Sequence, residues 1–160
     1  MKMKLYKLFI ISLMATTAIV FNGCKEDSDT QKPVINLEEP AEGEILQIGG
    51  EHGVHFECEF TDNEALASYK VNIHPNFDGH THSKVVSTRS EAQTVDFEFE
   101  RSWTLSGRNA AIHHHDIIIP ENATPGDYHL MIYCTDAAGN ESHIAVKVEL
   151  SHEAGEHEHD

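Results

Sequence analysis

The chain has 160 residues, 27 of them Asp or Glu against 11 Lys or Arg, for a formal net charge of −16 with His neutral. Three of the lysines and none of the acids lie in the first 23 residues, so the remainder holds eight basic against 27 acidic residues, a net charge of −19. Such a balance repels phosphate backbones and anionic headgroups while concentrating cations, which excludes nucleic acid and the bare lipid surface as partners.

At the N-terminus Lys2, Lys4 and Lys7 precede an apolar run from Leu8 to Phe21 that stops at Asn22-Gly23-Cys24. A basic start, a short apolar stretch and a small residue before the cleavage point describe a secretory signal over residues 1–23 rather than a spanning helix. With Gly23 before it, Cys24 resembles the lipid-modified cysteine of bacterial lipoproteins, although Phe21 stands where Leu is more usual. An ordinary secretory signal is the alternative. Lys25-Glu26-Asp27-Ser28-Asp29 is similar to the surface-export signal of Bacteroidetes-type lipoproteins. The expected location is therefore the outer membrane, on its outer face, with the periplasmic face as the alternative. The membrane is a partner through the lipid anchor only.

About 135 residues follow Cys24, enough for one domain and not comfortably for two. Residues 24–32 read as a polar, lipidated tether, 33–150 as the folded domain, and 151–160 as a disordered acidic, His-rich tail. Within the domain the apolar period is two. Val54, Phe56, Cys58 and Phe60 share one face of a strand, and Tyr128, Leu130, Ile132 and Cys134 share one face of another. Val95, Phe97, Phe99, Trp103 and Leu105 alternate with polar residues, as do Ile144, Val146, Val148 and Leu150. Arg101 interrupts the first of these patterns, so a bend or bulge is expected there. Turn signals at Pro40 to Gly43, Gly49-Gly50, Pro75 to Gly79, Ser106-Gly107, Pro120 to Gly126 and Gly139-Asn140 space the strands as in an all-β sandwich.

With Cys24 lipidated, Cys58 and Cys134 are left as one inward-facing pair in an oxidising compartment. A structural disulfide is the default expectation there, worth about 3–5 kcal/mol under the chain-entropy model. Spacing alone leaves two buried free thiols as the alternative.

The stretch from Pro125-Gly126-Asp127-Tyr128 to Thr135-Asp136-Ala137-Ala138-Gly139-Asn140 is similar to the last hairpin of bacterial immunoglobulin-like domains, with Tyr128 resembling a tyrosine corner. Ile117-Ile118-Ile119-Pro120 resembles the strand leading into it. Together with the lipoprotein signal, Phe77-Asp78-Gly79-His80-Thr81-His82 and His113-His114-His115-Asp116, nearly the whole mature chain resembles an uncharacterised family of Bacteroidetes Ig-like, His-rich lipoproteins. That resemblance implies an immunoglobulin-like antiparallel β-sandwich and an envelope location, and no established activity.

Thirteen histidines carry the functional reading. Imidazole is the commonest protein ligand for borderline divalent metals, and alternate residues of an extended strand turn two rings to one ion. If the Ig-like strands are B (53–61), C (66–74), D (94–105), E (111–119), F (127–135) and G (142–150), the end of C lies beside the start of F. His74 and His129 then become neighbours on one sheet face. The loop after C carries His80 and His82 over the same end, where His52 and His55 also arrive. The expected site is His74, His80, His82 and His129, with His113 and His115 as a second pair on one face of their strand and His114 on the other. Simple parity puts that second pair at the opposite end, but an extra strand at Ser83 to Thr88 would invert it, so one site and two both stay open. Lone strand histidines are ordinarily polar surface residues, and His52, His55 and His143 are so assigned.

Only Met131 of four methionines lies beyond the signal, which disfavours a soft Cu(I) site; imidazole with occasional carboxylate suits Zn(II), with Cu(II) or Ni(II) as alternatives. Ligation needs neutral imidazole, so affinity is expected to fall below about pH 6.5, the reference His value. The tail sequence His152-Glu153-Ala154-Gly155-Glu156-His157 has one residue too many between its histidines for the zinc-protease signature. It reads as a weak metal collector or a solubilising tail.

The expected function is non-catalytic handling of a divalent transition metal, zinc first, with an outer-membrane transporter or surface protein as the protein partner. The alternative is an Ig-like surface adhesion or assembly module. Calcium would then be held by Asp62, Asn63, Glu64, Asp136 and Asn140, which are also ordinary turn residues. An enzyme is the third reading and the weakest. Copper–zinc superoxide dismutase shares the sandwich, His-x-His ligands and a disulfide, but its further ligand spacing and Gly-rich segments are not matched here.

Overall fold

A computed structural model describes residues 29–76 and 94–153. Eight strands occupy them: β1 Val34–Glu39, β2 Glu44–Gln47, β3 Val54–Thr61, β4 Leu66–Pro75, β5 Phe99–Thr104, β6 Asn109–Ile117, β7 Gly126–Asp136 and β8 Glu141–Ser151. There is no helix among the described residues. The strands form a three-stranded sheet in the order β1-β3-β6 and a five-stranded sheet in the order β2-β8-β7-β4-β5. Every pairing is antiparallel except β2 with β8. This is the all-β sandwich that the two-residue period foretells, and the immunoglobulin-like fold that the resemblance implies.

Alternation decides what the layers bury. Val54, Phe56, Cys58 and Phe60 of β3 face Tyr128, Leu130, Ile132 and Cys134 of β7 and Tyr69, Val71 and Ile73 of β4, all buried in one core. Tyr128 locks the entry to β7: its hydroxyl donates to the Thr124 carbonyl at 2.8 Å and accepts from the Phe97 amide at 3.2 Å. A buried hydroxyl needs such partners, and here it ties three chain segments together.

Three sequence expectations are corrected. The strand expected over 94–105 as D is shorter, Phe99–Thr104, and it pairs with β4 at the edge of the five-stranded sheet. Arg101 makes no bulge, since β4 and β5 pair in unbroken register from Ser68↔Thr104 to Ile73↔Phe99. At this sheet edge the guanidinium needs no burial, and it reaches Asp116 of β6 at 3.1 Å, an ion pair linking the two sheets. Val95 does not point inward; it is 56 % exposed and makes only an isolated bridge to Ala123.

β1 and β2 are halves of one broken strand. Pro40 has no N–H to offer a ladder, so pairing with β3 ends there, and the chain crosses to pair with β8.

Candidate metal centre

His55 of β3 and His113 and His115 of β6 come together on the outer face of the three-stranded sheet. Each offers a ring nitrogen, and the three nitrogens lie within 4.8 Å of one another. Ring centroids are 4.6 Å apart for His55 and His113, 5.0 Å for His55 and His115, and 5.4 Å for His113 and His115. Two nitrogens about 2.0–2.1 Å from a tetrahedral zinc lie roughly 3.3 Å apart, so modest side-chain rotation closes the set onto an ion. A fourth position stays open to water or a further donor. Glu57, opposite His113 in the ladder, has Oε2 3.7 Å from His55 Nε2 and is a carboxylate placed to supply it.

A β-bulge builds this arrangement. Val54 pairs with Ile117 but Phe56 pairs with His114, so His55 faces two residues of β6, His115 and Asp116. Strict alternation from His113 would send Ile117 outward with His115. The extra residue lets His115 and Asp116 both stay exposed while Ile117 returns to the core. Gly53 makes room for it with a φ of +75°, and a Cβ there would meet the carbonyl oxygen of His115 and the Ile118 side chain.

His114 belongs to the other face. It stacks on Phe56 and on Trp103, each at 4.9 Å, and its Nε2 is 3.1 Å from the Tyr69 hydroxyl. The Asp116 amide donates to Nδ1 at 3.2 Å, which makes Nε2 the protonated nitrogen and Tyr69 the acceptor. Burial pushes the His114 pKa down, helped by Arg101 and the flanking histidines against the pull of Asp116. Burial likewise pushes the Tyr69 hydroxyl pKa up. Trp103 Nε1 donates to Asp116 Oδ2 at 3.3 Å, so Asp116 is held by Arg101 and Trp103 beside the cluster.

His74 and His129 face each other across β4 and β7, with ring centroids 5.6 Å apart, on the outer face of the five-stranded sheet. His74 Nδ1 is 2.7 Å from Asn72 Oδ1, and its side chain lines a surface groove with Glu98, Phe99 and Glu100. This pair and the trio lie on opposite outer faces of the sandwich and cannot share one ion. His80, His82 and the proposed lipidation residue Cys24 lie outside the described residues. His55, assigned to the surface by sequence, is the member of the trio that local reading missed; only the pairing of β3 with β6 brings it to His113 and His115. His52 is exposed in a turn, and His143 packs on Tyr133 at 5.7 Å.

Cys58 and Cys134 are both fully buried, and both are free thiols here. Burial and, second, the neighbouring Cys134 push the Cys58 thiol up to about 12; burial and the carboxylates of Asp62 and Asp136 push Cys134 up to about 11. Of the five residues named for calcium, Asp62, Asp136 and Asn140 converge at the β3–β4 and β7–β8 turns, while Asn63 and Glu64 are exposed.

A family model described as a domain of unknown function (DUF4625) matches residues 22–151, and the chain belongs to that family. No curated protein matches it.

Proposed function

We propose that this member of a family without an assigned activity binds a divalent transition metal, zinc first, through His55, His113 and His115. The observation that carries the reading is the convergence of three imidazoles from two strands, with a bulge that sets His55 opposite His115 and Asp116. Copper(II) and nickel(II) suit the same donors. Three histidines with an open fourth position is also the donor set of catalytic zinc. Here, however, two of the three ligands are exposed on a sheet face, so a substrate would stay in water and its charges would stay screened. Exposure suits exchange of the ion instead. The role proposed is metal binding and transfer at the outer membrane, the protein held there through lipid on Cys24, with a transporter or surface protein as donor or acceptor.

Zinc titration of the full chain tests this. One zinc per chain is expected to bind tightly in the wild type and in His74→Ala/His129→Ala. In His113→Ala/His115→Ala affinity is expected to fall roughly 100-fold or more, since even outer-shell partners of a metal are worth about 10–100-fold. Weak binding without stoichiometry would sink the proposal. It would put first the second reading, an adhesion or assembly module, which a separate carboxylate cluster favours.

A further inference from the structure

Three carboxylates meet at the end of the sandwich remote from the histidine trio: Asp29, ahead of β1, Asp62, in the β3–β4 turn, and Asp136, closing β7. One oxygen from each lies within 4.8 Å of the others. Asp136 is 2 % exposed. Burial raises its pKa, but hydrogen bonds from the Asn140 side chain and from the Asn140, Gly139 and Ala138 amides outweigh that and hold it below the usual value. The cluster is thus built to keep a buried carboxylate charged.

The other two carboxylates are half satisfied. Asp62 Oδ1 accepts from the amides of Glu64 at 2.9 Å and Ala65 at 2.8 Å, and Asp29 Oδ1 accepts from the Gln31 amide at 2.9 Å. Oδ2 of each is buried with no hydrogen-bond partner. An orphaned carboxylate oxygen out of water is costly, and two of them beside a third carboxylate add mutual repulsion. No Lys, Arg or His ion pair reaches these three groups among the described residues. Arg108, the nearby cation, donates to the Glu64 carbonyl. What the cluster lacks is positive charge with room for several oxygens.

We infer that Asp29, Asp62 and Asp136 form a calcium site that fastens the segment ahead of β1 onto the turns at that end of the domain. Oxygen-only donors point to a hard cation, and opposite ligands at 2.3–2.6 Å from calcium stand about 4.6–5.2 Å apart, which accommodates every pair in the cluster. Three protein carboxylates suit calcium better than magnesium, which keeps several waters and takes one or two. The surrounding bonds already gather the same segments. Asn140 Nδ2 donates to Asp136 Oδ2 at 2.7 Å and to the carbonyls of Asp29 at 3.1 Å and Gln31 at 3.3 Å, and Ser142 Oγ donates to the Pro33 carbonyl at 2.6 Å. Calcium adds the carboxylate of Asp29 to that clasp, so the ion sets how firmly residue 29 is tied to the sandwich.

Calorimetric titration and thermal unfolding of the EDTA-stripped full chain with calcium chloride test the site. One calcium per chain is expected, with Kd near or below the 10⁻⁴–10⁻³ M range of extracellular modules, and a Tm rise of about 5 °C at tenfold excess over Kd. Asp29→Asn and Asp62→Asn keep an Oδ1 that accepts the amide bonds, so the turns survive while affinity drops roughly tenfold or more. His113→Ala/His115→Ala is expected to bind calcium unchanged, which separates this site from the zinc reading. An absent heat and unmoved Tm at about 10 mM calcium, an equal response to magnesium, or undiminished binding in Asp29→Asn/Asp62→Asn would overturn the assignment.

Discussion

At the scale of single residues, the three consecutive histidines of β6 are not equivalent, and chain position says which is which. His113 and His115 point outward to His55, whereas His114 points inward and is wedged between Phe56 and Trp103. His114→Phe is therefore expected to leave zinc affinity within a few-fold of wild type, while His113→Phe abolishes tight binding; parallel titrations of the two variants decide it. Sequence alternation alone gives this split, because it needs nothing beyond a strand. It could not give His55, which stands alone in the sequence and gains its meaning from a partner about 60 residues away.

Tyr128 makes a second residue-scale case. Tyr128→Phe keeps the ring but orphans the Phe97 amide and the Thr124 carbonyl, at an expected cost of about 1–3 kcal/mol in urea unfolding with an unchanged m-value. For Cys58, a thiol pushed up to about 12 leaves on the order of one thiolate in ten thousand at pH 8. Iodoacetamide is expected to modify the reduced protein at pH 8 only as fast as it unfolds. Because this pKa is raised on folding, its contribution to stability is whole below the unfolded thiol value, near 9, and is lost as pH rises toward 12. Rapid labelling of the native protein would contradict the burial.

Among the elements, the bulge between β3 and β6 is the feature on which the histidine trio depends. Gly53→Ala sets a side chain against the His115 carbonyl in a left-handed backbone conformation, so about 1–3 kcal/mol of stability is expected to go, and zinc affinity with it. A variant of lower Tm that still bound zinc normally would show that the bulge does not place the ligands. Strands with strong alternation, β3, β4, β7 and β8, were legible in the sequence because each turns one face to the core. β5 was legible as a strand but not as to its sheet: alternation reports which face is apolar, not which neighbour the edge meets. Arg101 looked like a defect in that pattern, and its explanation, Asp116 on the other sheet, is again nonlocal. The bulge itself has no local sign beyond an Asp that breaks the histidine alternation.

Over the whole molecule, the two proposed ion sites stand near opposite ends of β3. From His55 to Asp62 is seven residues of extended chain, about 23 Å, so the sites share no ligand and their effects are expected to add. Saturating calcium should leave zinc affinity unchanged, apart from general screening that potassium chloride of equal ionic strength reproduces. The net charge of −19 beyond residue 23 favours cations at both ends without choosing between them. The choice is made by donors: imidazoles on an open sheet face at one end, carboxylate oxygens partly shut from water at the other. Asp62, Asp136 and Asn140 could be named from their turn sequences, but Asp29 could not, since it lies in a stretch that reads as tether and reaches the cluster only because β1 pairs alongside β3.

The most direct test of the central claim is zinc titration of the full chain and its His113→Ala/His115→Ala variant in the presence of saturating calcium. One tight zinc per wild-type chain is expected, and its loss in the variant, with the Tm in calcium alone alike for both. Zinc binding of equal strength in the two proteins, or none above weak surface association in either, would contradict it.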